Sequence, residues 1–268
     1  MSLSEPLDPR RQTFSELRGA LDRRWADASL ERFTLAAEAV VPTGLEAVDA
    51  ALSGGFPRGT IATLEGPAGS GRSALLARLL AGATAGGGLG ALVESPAGPE
   101  GALYPPALAA AGVDLARLLI VPAADPAGVA RSADILLRSA AFRVVAIPSV
   151  RVTAAVWTRL ASLTHRAGSV LVALGDASDE LRYFASLRVR LRATGVRWAG
   201  SGGLFGTFAE SAFEATVLKH KRAASGKHAA FACGTFDDHG PPLASVREPT
   251  TFTEPSLRRT SSPRILAV

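Results

Sequence analysis

The chain has 268 residues, 47% of them hydrophobic, which is enough to bury a sizeable core as one domain and excludes a wholly disordered protein. A formal net charge of +5 suits nucleic acid or an acidic partner, yet only Lys219, Lys221 and Lys227 are lysines in an arginine-, alanine- and glycine-rich chain, so charge alone names no partner. No apolar run reaches the roughly 18 to 20 residues that span a bilayer, the acidic, arginine-rich N-terminus lacks the apolar core of a signal peptide, and a cytoplasmic location without membrane contact is expected.

In chain order, residues 12–28 place Phe14, Leu17, Leu21 and Trp25 on one helical stripe, and Thr13-x-x-Glu16 matches a capping box at its start. An amphipathic helix is expected there, packed on the core or docked on another chain as an interface. Val41-Pro42-Thr43-Gly44 then turns into a helix carrying Leu45, Val48 and Leu52, and a glycine-rich stretch leads into an apolar strand over residues 60–65.

The next eight residues, Gly66-Pro67-Ala68-Gly69-Ser70-Gly71-Arg72-Ser73, fit the phosphate-loop pattern G-x-x-x-x-G-K-[ST] except that arginine stands in the lysine position. Such a loop works because glycines let successive backbone N–H groups converge on phosphate oxygens at a helix N-terminus. Gly66, Gly69 and Gly71 keep that option, and Ser73 keeps the hydroxyl that holds Mg²⁺ in such loops. Arg72 keeps the charge but brings a planar fork in place of a compact ammonium. A glycine-rich strand-to-helix turn without ligand would carry the same residues; the strand running in and the helix from Ala74 to Leu80 running out favour the phosphate loop.

Apolar, β-prone runs follow at 89–94, 118–121, 144–147 and 169–174, alternating with helical patterns at 101–112, 126–140 and 152–166. That alternation predicts an α/β fold with a mostly parallel sheet covered on both faces. Period-two segments at 187–191, 213–219 and 229–236, with turns at Gly202-Gly203 and Ser225-Gly226, predict antiparallel strands at the C-terminal edge. From residue 237, prolines, serines, threonines and arginines with little apolar period predict a flexible tail, whose apolar last residues, 265–268, could serve as a docking peptide. The organisation expected is an N-terminal helix and linker over 1–39, a core over 40–236 and a tail over 237–268. Cys233 alone cannot form an internal disulfide, and His165, His220, His228 and His239 lack metal-ligand spacing, so no metal site is expected.

Residues 41–52, Gly55-Phe56-Pro57-Arg58-Gly59, the phosphate loop, Ala111-Gly112-Val113-Asp114, residues 181–188 and Lys219-His220-Lys221 together resemble, in order and spacing, the core of the RecA recombinase family. The resemblance implies a RecA-like fold over roughly 40–236 and a place in DNA repair. It also shows departures. The aspartate that orients Mg²⁺ in that family is matched by Pro148, after Val144-Val145-Ala146-Ile147; the glutamate that activates water is matched by Pro96, with Glu94 two residues before. Without lysine, aspartate and glutamate, phosphoryl transfer lacks its charge clamp, metal orienter and base. No catalytic residue, no ATP hydrolysis and no cofactor are expected, although backbone N–H groups and Arg72 leave nucleotide binding without hydrolysis open.

The family's DNA-binding loops also lack room: 149–174 holds one helix, and only Ala177-Ser178-Asp179-Glu180 separates the next strand end from Leu181. Lys219 and Lys221 match residues that reach across a subunit interface to a neighbour's nucleotide; here they read as an interface or as a solvated edge. Arg188, Arg190 and Arg192, in the densest basic run, share one strand face and read as an anion-binding surface or a solvated edge. A small RecA-like chain with a decayed nucleotide site most resembles the ImuA family and, by extension, SulA-like proteins. That resemblance implies a non-enzymatic adaptor of damage-induced (SOS) mutagenesis and translesion synthesis, binding RecA and the polymerase relative ImuB, with self-association and DNA contact open. Two alternatives remain: an ATP-dependent repair motor in which Arg72 and Glu94 replace the missing groups, and a SulA-like inhibitor of the division protein FtsZ, against which the length argues.

Overall fold

The computed structural model describes residues 40–95, 101–199 and 207–234. The amphipathic stripe of Leu17, Leu21 and Trp25, the position of Pro96, the Gly202-Gly203 turn and the tail lie outside the described residues. Short strands β1 (Val40–Val41) and β2 (Phe56–Pro57) pair antiparallel around helix α1 (Glu46–Ala51). The turn between β1 and α1 is tied by Asp49, whose carboxylate accepts from the N–H groups of Thr43 and Gly44 at 2.9 and 3.0 Å.

The main sheet has eight strands in the order β10-β9-β8-β3-β7-β6-β4-β5. They are β3 (Thr60–Glu65), β4 (Leu89–Glu94), β5 (Leu118–Pro122), β6 (Phe142–Pro148), β7 (Val170–Leu174), β8 (Leu187–Ala199), β9 (Thr207–His220) and β10 (His228–Gly234). All pairings from β8 across β3, β7, β6 and β4 to β5 are parallel; β9 and β10 add antiparallel strands. β8 thus differs from the purely antiparallel edge expected of it: it runs parallel to β3 on one side and antiparallel to β9 on the other.

The parallel strands read as continuous apolar runs because helices cover both of their faces. On one face, α1, α2 (Arg72–Thr84) and α3 (Pro105–Ala110) pack against Ala62, Leu64, Val189 and Leu191; the Leu75, Leu76, Leu79, Leu80 and Ala83 stripe of α2 supplies much of this core. On the other face, α4 (Pro126–Arg138), α5 (Ala154–Ala167) and α6 (Asp179–Phe184) pack against Ile61, Val93, Val145 and Ile147. α4 starts at Asp125, whose side chain accepts from the Gly128 N–H, with Pro126 in the first turn; α5 ends at Gly168 in the left-handed conformation.

α6 was not foreseen. Its start carries ordinary signals, a Ser178 cap accepting from the Leu181 N–H and acidic Asp179 and Glu180 in the first turn, but six residues are too few for an apolar period to show. No helix among the described residues is long and apolar enough to cross a membrane. No group of three or more His, Cys, Asp and Glu among them is placed to hold a metal ion.

Candidate functional site: a phosphate loop without its catalytic partners

The loops that follow β3, β6 and β7 meet at the carboxyl edge of the sheet. The Gly175 N–H donates to the Leu64 carbonyl at 3.0 Å and the Ser149 N–H to the Leu174 carbonyl at 2.6 Å, so the residues after all three strands lie side by side, where open α/β sheets bind ligands. Gly66, Gly69 and Gly71 have φ of +138°, +77° and +95°, values that L side chains rarely adopt. α2 begins at Arg72, with Gly71 as its N-cap and no acidic residue in its first turn, the local setting in which a phosphate loop presents backbone N–H groups to an anion.

The surroundings of the loop are closely packed. A Cβ on Gly66 would stand 2.4 Å from the Leu191 carbonyl of β8, and one on Gly71 would stand 2.6 Å from the Phe213 ring of β9; around Gly69 there is open space. The long β8–β9 hairpin therefore runs past the end of β3 and leans on the loop. Arg72 is only 8% exposed, whereas Ser73 is exposed. Ser70 is 2% exposed and its Oγ has no hydrogen-bond partner among the described residues.

The residues present fit the two halves of a nucleotide site unequally. The glycine-rich backbone at the start of α2 would receive a phosphate group and the exposed Ser73 hydroxyl its Mg²⁺, whereas Arg72 is buried. The groups that would orient metal and water are different: Pro148 is buried at the end of β6 and offers no ligand, and Glu94 accepts from the Leu103 N–H at 2.7 Å, which ties it to the segment after β4.

The loop is anchored from behind by a buried ion pair. Glu65, the last residue of β3, receives two hydrogen bonds from Arg188 of β8, Nε to Oε1 at 2.7 Å and Nη2 to Oε2 at 2.9 Å, and a third from the Thr63 hydroxyl at 2.8 Å. The two side chains are 4% and 18% exposed. Burial acts to raise the Glu65 pKa, but the Arg188 and Thr63 hydrogen bonds and the Arg188 charge outweigh it and hold the carboxyl below its ordinary 4.5. A carboxyl depressed on folding stabilises the native state fully above its unfolded value and loses that contribution as pH falls through its folded value. Wild-type stability, measured by urea unfolding from neutral pH down through the acid range, is therefore expected to fall more steeply below pH 4.5 than that of Glu65→Gln, whose side chain does not titrate.

The arginine stripe on β8 requires a correction. Arg188 is spent on Glu65, and Arg192 pairs with Glu214 of β9 at 2.5 Å, so the face is charge-compensated and only Arg190 of the three is exposed without a carboxylate partner among the described residues. The adjacent Arg197 pairs likewise with Glu210 at 2.8 Å. Lys219 and Lys221 lie at the other end of β3 from the phosphate loop, so within one chain they do not contribute to it. Lys219 Nζ donates to the carbonyls of Arg182 and Tyr183 at 2.9 and 3.2 Å and so caps the C-terminus of α6. Sequence reasoning did not single out Glu65 or Phe213. The signal for Glu65 was a carboxylate ending a wholly buried strand, which needs a cationic partner somewhere in the fold.

A mostly parallel sheet covered by helices, with a glycine-rich phosphate loop at the end of a central strand and antiparallel strands on one edge, defines a RecA-like α/β domain. The chain belongs to the RecA N-terminal domain family, whose model matches residues 20–160. It is similar to the RecA protein of Picosynechococcus sp., 34% identical over 133 residues, 48% of this chain and 37% of that protein. It is 36% identical to the RecA protein of Clavibacter michiganensis subsp. michiganensis over 134 residues, 48% of this chain and 36% of that one. The match thus spans little more than a third of the length of these relatives. Among solved structures, the RadB recombinase superposes with a TM-score of 0.54 at 17% identity, covering 72% of this chain and 95% of RadB, a likeness of fold.

Proposed function

We propose that this chain is a non-enzymatic RecA-like accessory protein of damage-induced mutagenesis, an ImuA-type adaptor that acts in the cytoplasm by binding RecA and an ImuB-type polymerase relative during translesion synthesis. One observation carries the reading: the phosphate loop keeps its three positive-φ glycines while Arg72 replaces the clamp lysine, Pro148 replaces the metal-orienting aspartate, and Glu94 is engaged elsewhere. In phosphoryl transfer those groups supply nearly all of the electrostatic stabilisation, since the protein does little covalent chemistry. A RecA-like body without them is suited to recognition.

The test has two parts. Phosphate release from ATP with Mg²⁺, with and without single-stranded DNA, is expected at background for the wild-type chain and for Arg72→Ala alike; the folded protein is expected to retain RecA and the ImuB-type protein in pull-down. The intact glycines also favour a second reading, an ATP-dependent repair motor. Turnover that Arg72→Ala abolishes would put that reading first. Loss of both complexes with the protein folded would end the adaptor reading.

A further inference from the structure

A second concave surface lies at the amino end of β3, away from the phosphate loop. There the end of β9 and the turn after it bring Lys219, His220, Lys221 and Arg222 against Gly59 and Thr60. They line a cavity of about 380 Å³ and an adjoining one of about 220 Å³ that share Gly59, Thr60, Ser186 and Lys221. No Asp or Glu lines either cavity, whereas His165 adds a further titratable group.

The cationic turn is built in place. Lys219 is fixed on the last carbonyls of α6, the Lys221 N–H donates to the Ser186 carbonyl at 2.9 Å, and the Arg222 N–H donates to His220 Nδ1 at 3.1 Å. The side chains of Lys221 and Arg222 are exposed, and no carboxylate among the described residues is within ion-pair distance of them. Elsewhere on the surface Arg159, Arg192 and Arg197 are paired with acids, whereas exposed Arg131, Arg151 and Arg190, like the groove pair, have no carboxylate within ion-pair distance among the described residues. Positive charge is thus left uncompensated in the groove. Burial, and then the Lys221 and Arg188 charges, push the Lys219 pKa down, a mutual repulsion that an anion in the groove would relieve.

The chemistry of the walls separates carboxylates from phosphates. Backbone N–H groups that could form a phosphate nest are occupied: those of Lys221 and Arg222 as above, and that of Gly59 on the Ser169 carbonyl at 2.7 Å. The helix end at the groove is the C-terminus of α6, whose last carbonyls are taken by Lys219 Nζ, so the groove also lacks the N–H groups of a helix N-terminus that favour phosphate. Part of the remaining wall is apolar and aromatic, Ile61 and Ala161 with Tyr183, 76% exposed, set edge-on to Phe184 at a centroid distance of 5.2 Å; Thr60, Ser186, His165 and His220 complete it. Exposed cations beside an open aromatic ring match an extended segment that carries carboxylates and an apolar side chain.

We propose that this groove docks an acidic peptide segment of a partner protein, with Lys221 and Arg222 receiving its carboxylates and Tyr183 with Phe184 packing on its apolar side chain. The proposal rests on the adaptor reading for the identity of the partner, while the chemistry of the groove stands apart from it. It differs from the contact with a neighbour's nucleotide that the RecA resemblance implies for Lys219 and Lys221.

The test uses the full chain and a short fluorescein-labelled peptide of glutamate, aspartate and phenylalanine, followed by anisotropy. Saturable binding that weakens with salt is expected, with a loss of about tenfold or more in Lys221→Glu/Arg222→Glu. The charge-matched control Arg131→Glu/Arg151→Glu, on exposed positions outside the groove, is expected to bind as wild type. Equal losses in both double variants would reduce the binding to net charge and overturn the proposal. So would displacement of the peptide by inorganic pyrophosphate at comparable concentration, which would make the groove a phosphate site. If the groove variant still retains RecA and the ImuB-type protein in pull-down, the groove proposal fails and the adaptor reading stands.

Discussion

Arg188→Met is expected to lower folding stability by about 3–5 kcal/mol, the usual consequence of removing one partner of a buried ion pair. The loss comes less from the attraction forgone than from what is left behind. Glu65 is 4% exposed on its side chain, sits at the end of a central strand and would keep, among the described residues, the Thr63 hydroxyl as its one side-chain donor. Its carboxyl must then either stay charged without a counter-ion or take up a proton at neutral pH, and both raise the energy of the native state. The double variant Glu65→Leu/Arg188→Met removes the stranded charge and is expected to recover most of the loss, because a buried pair replaced by apolar groups of similar volume is often neutral or stabilising. Urea unfolding of the wild type, both single variants and the double variant closes the cycle. Single-variant losses that simply add in the double variant would show that Glu65 and Arg188 are not coupled.

That pair also marks where the sequence stops being legible. The strands at 60–65 and 89–94 are readable because burial on both faces makes each of them short and rich in β-prone or apolar residues, and the structure keeps those same bounds for β3 and β4. The phosphate loop is readable because its geometry is local, a matter of three glycines within six residues. Glu65 and Arg188 are 123 residues apart, and neither residue type announces the other. The same non-locality hid the length of β8 and β9. Their outer halves carry cross-strand pairs such as Arg192 with Glu214 and Arg197 with Glu210, so charge replaces the apolar alternation. Register shifts between Ala193 and Gly195 and between Arg197 and Trp198 break the period as well. Likewise a run of arginines on one strand face reads as a basic surface until the facing strand supplies its acids.

Gly71→Ala is expected to cost about 2–5 kcal/mol, from two separable sources. An alanine held at φ +95° carries a backbone penalty of roughly 1–2 kcal/mol. Its Cβ would also meet the Phe213 ring at 2.6 Å, and that ring has little freedom to withdraw: it is 8% exposed and packs on Phe231 at a centroid distance of 5.3 Å. Overpacking of this kind costs about 1–3 kcal/mol. Gly69→Ala isolates the first source, since φ is +77° there and no atom lies within 4 Å of the added carbon; a loss of about 1–2 kcal/mol is expected. Adding Phe213→Leu to Gly71→Ala should return the overpacking part and leave the backbone part, a coupling of about 1–3 kcal/mol by thermal or urea unfolding. Equal losses for Gly69→Ala and Gly71→Ala, with no coupling to Phe213, would mean that the hairpin does not bear on the loop. The contact matters for function because it gives Gly71 a reason to be glycine that involves no phosphate. The Leu191 carbonyl, 2.4 Å from where a Cβ on Gly66 would stand, gives Gly66 another. Two of the three glycines that make the loop look like a nucleotide site are therefore favoured by the β8–β9 strands packed beside them, and a domain without phosphoryl transfer would keep them for stability alone.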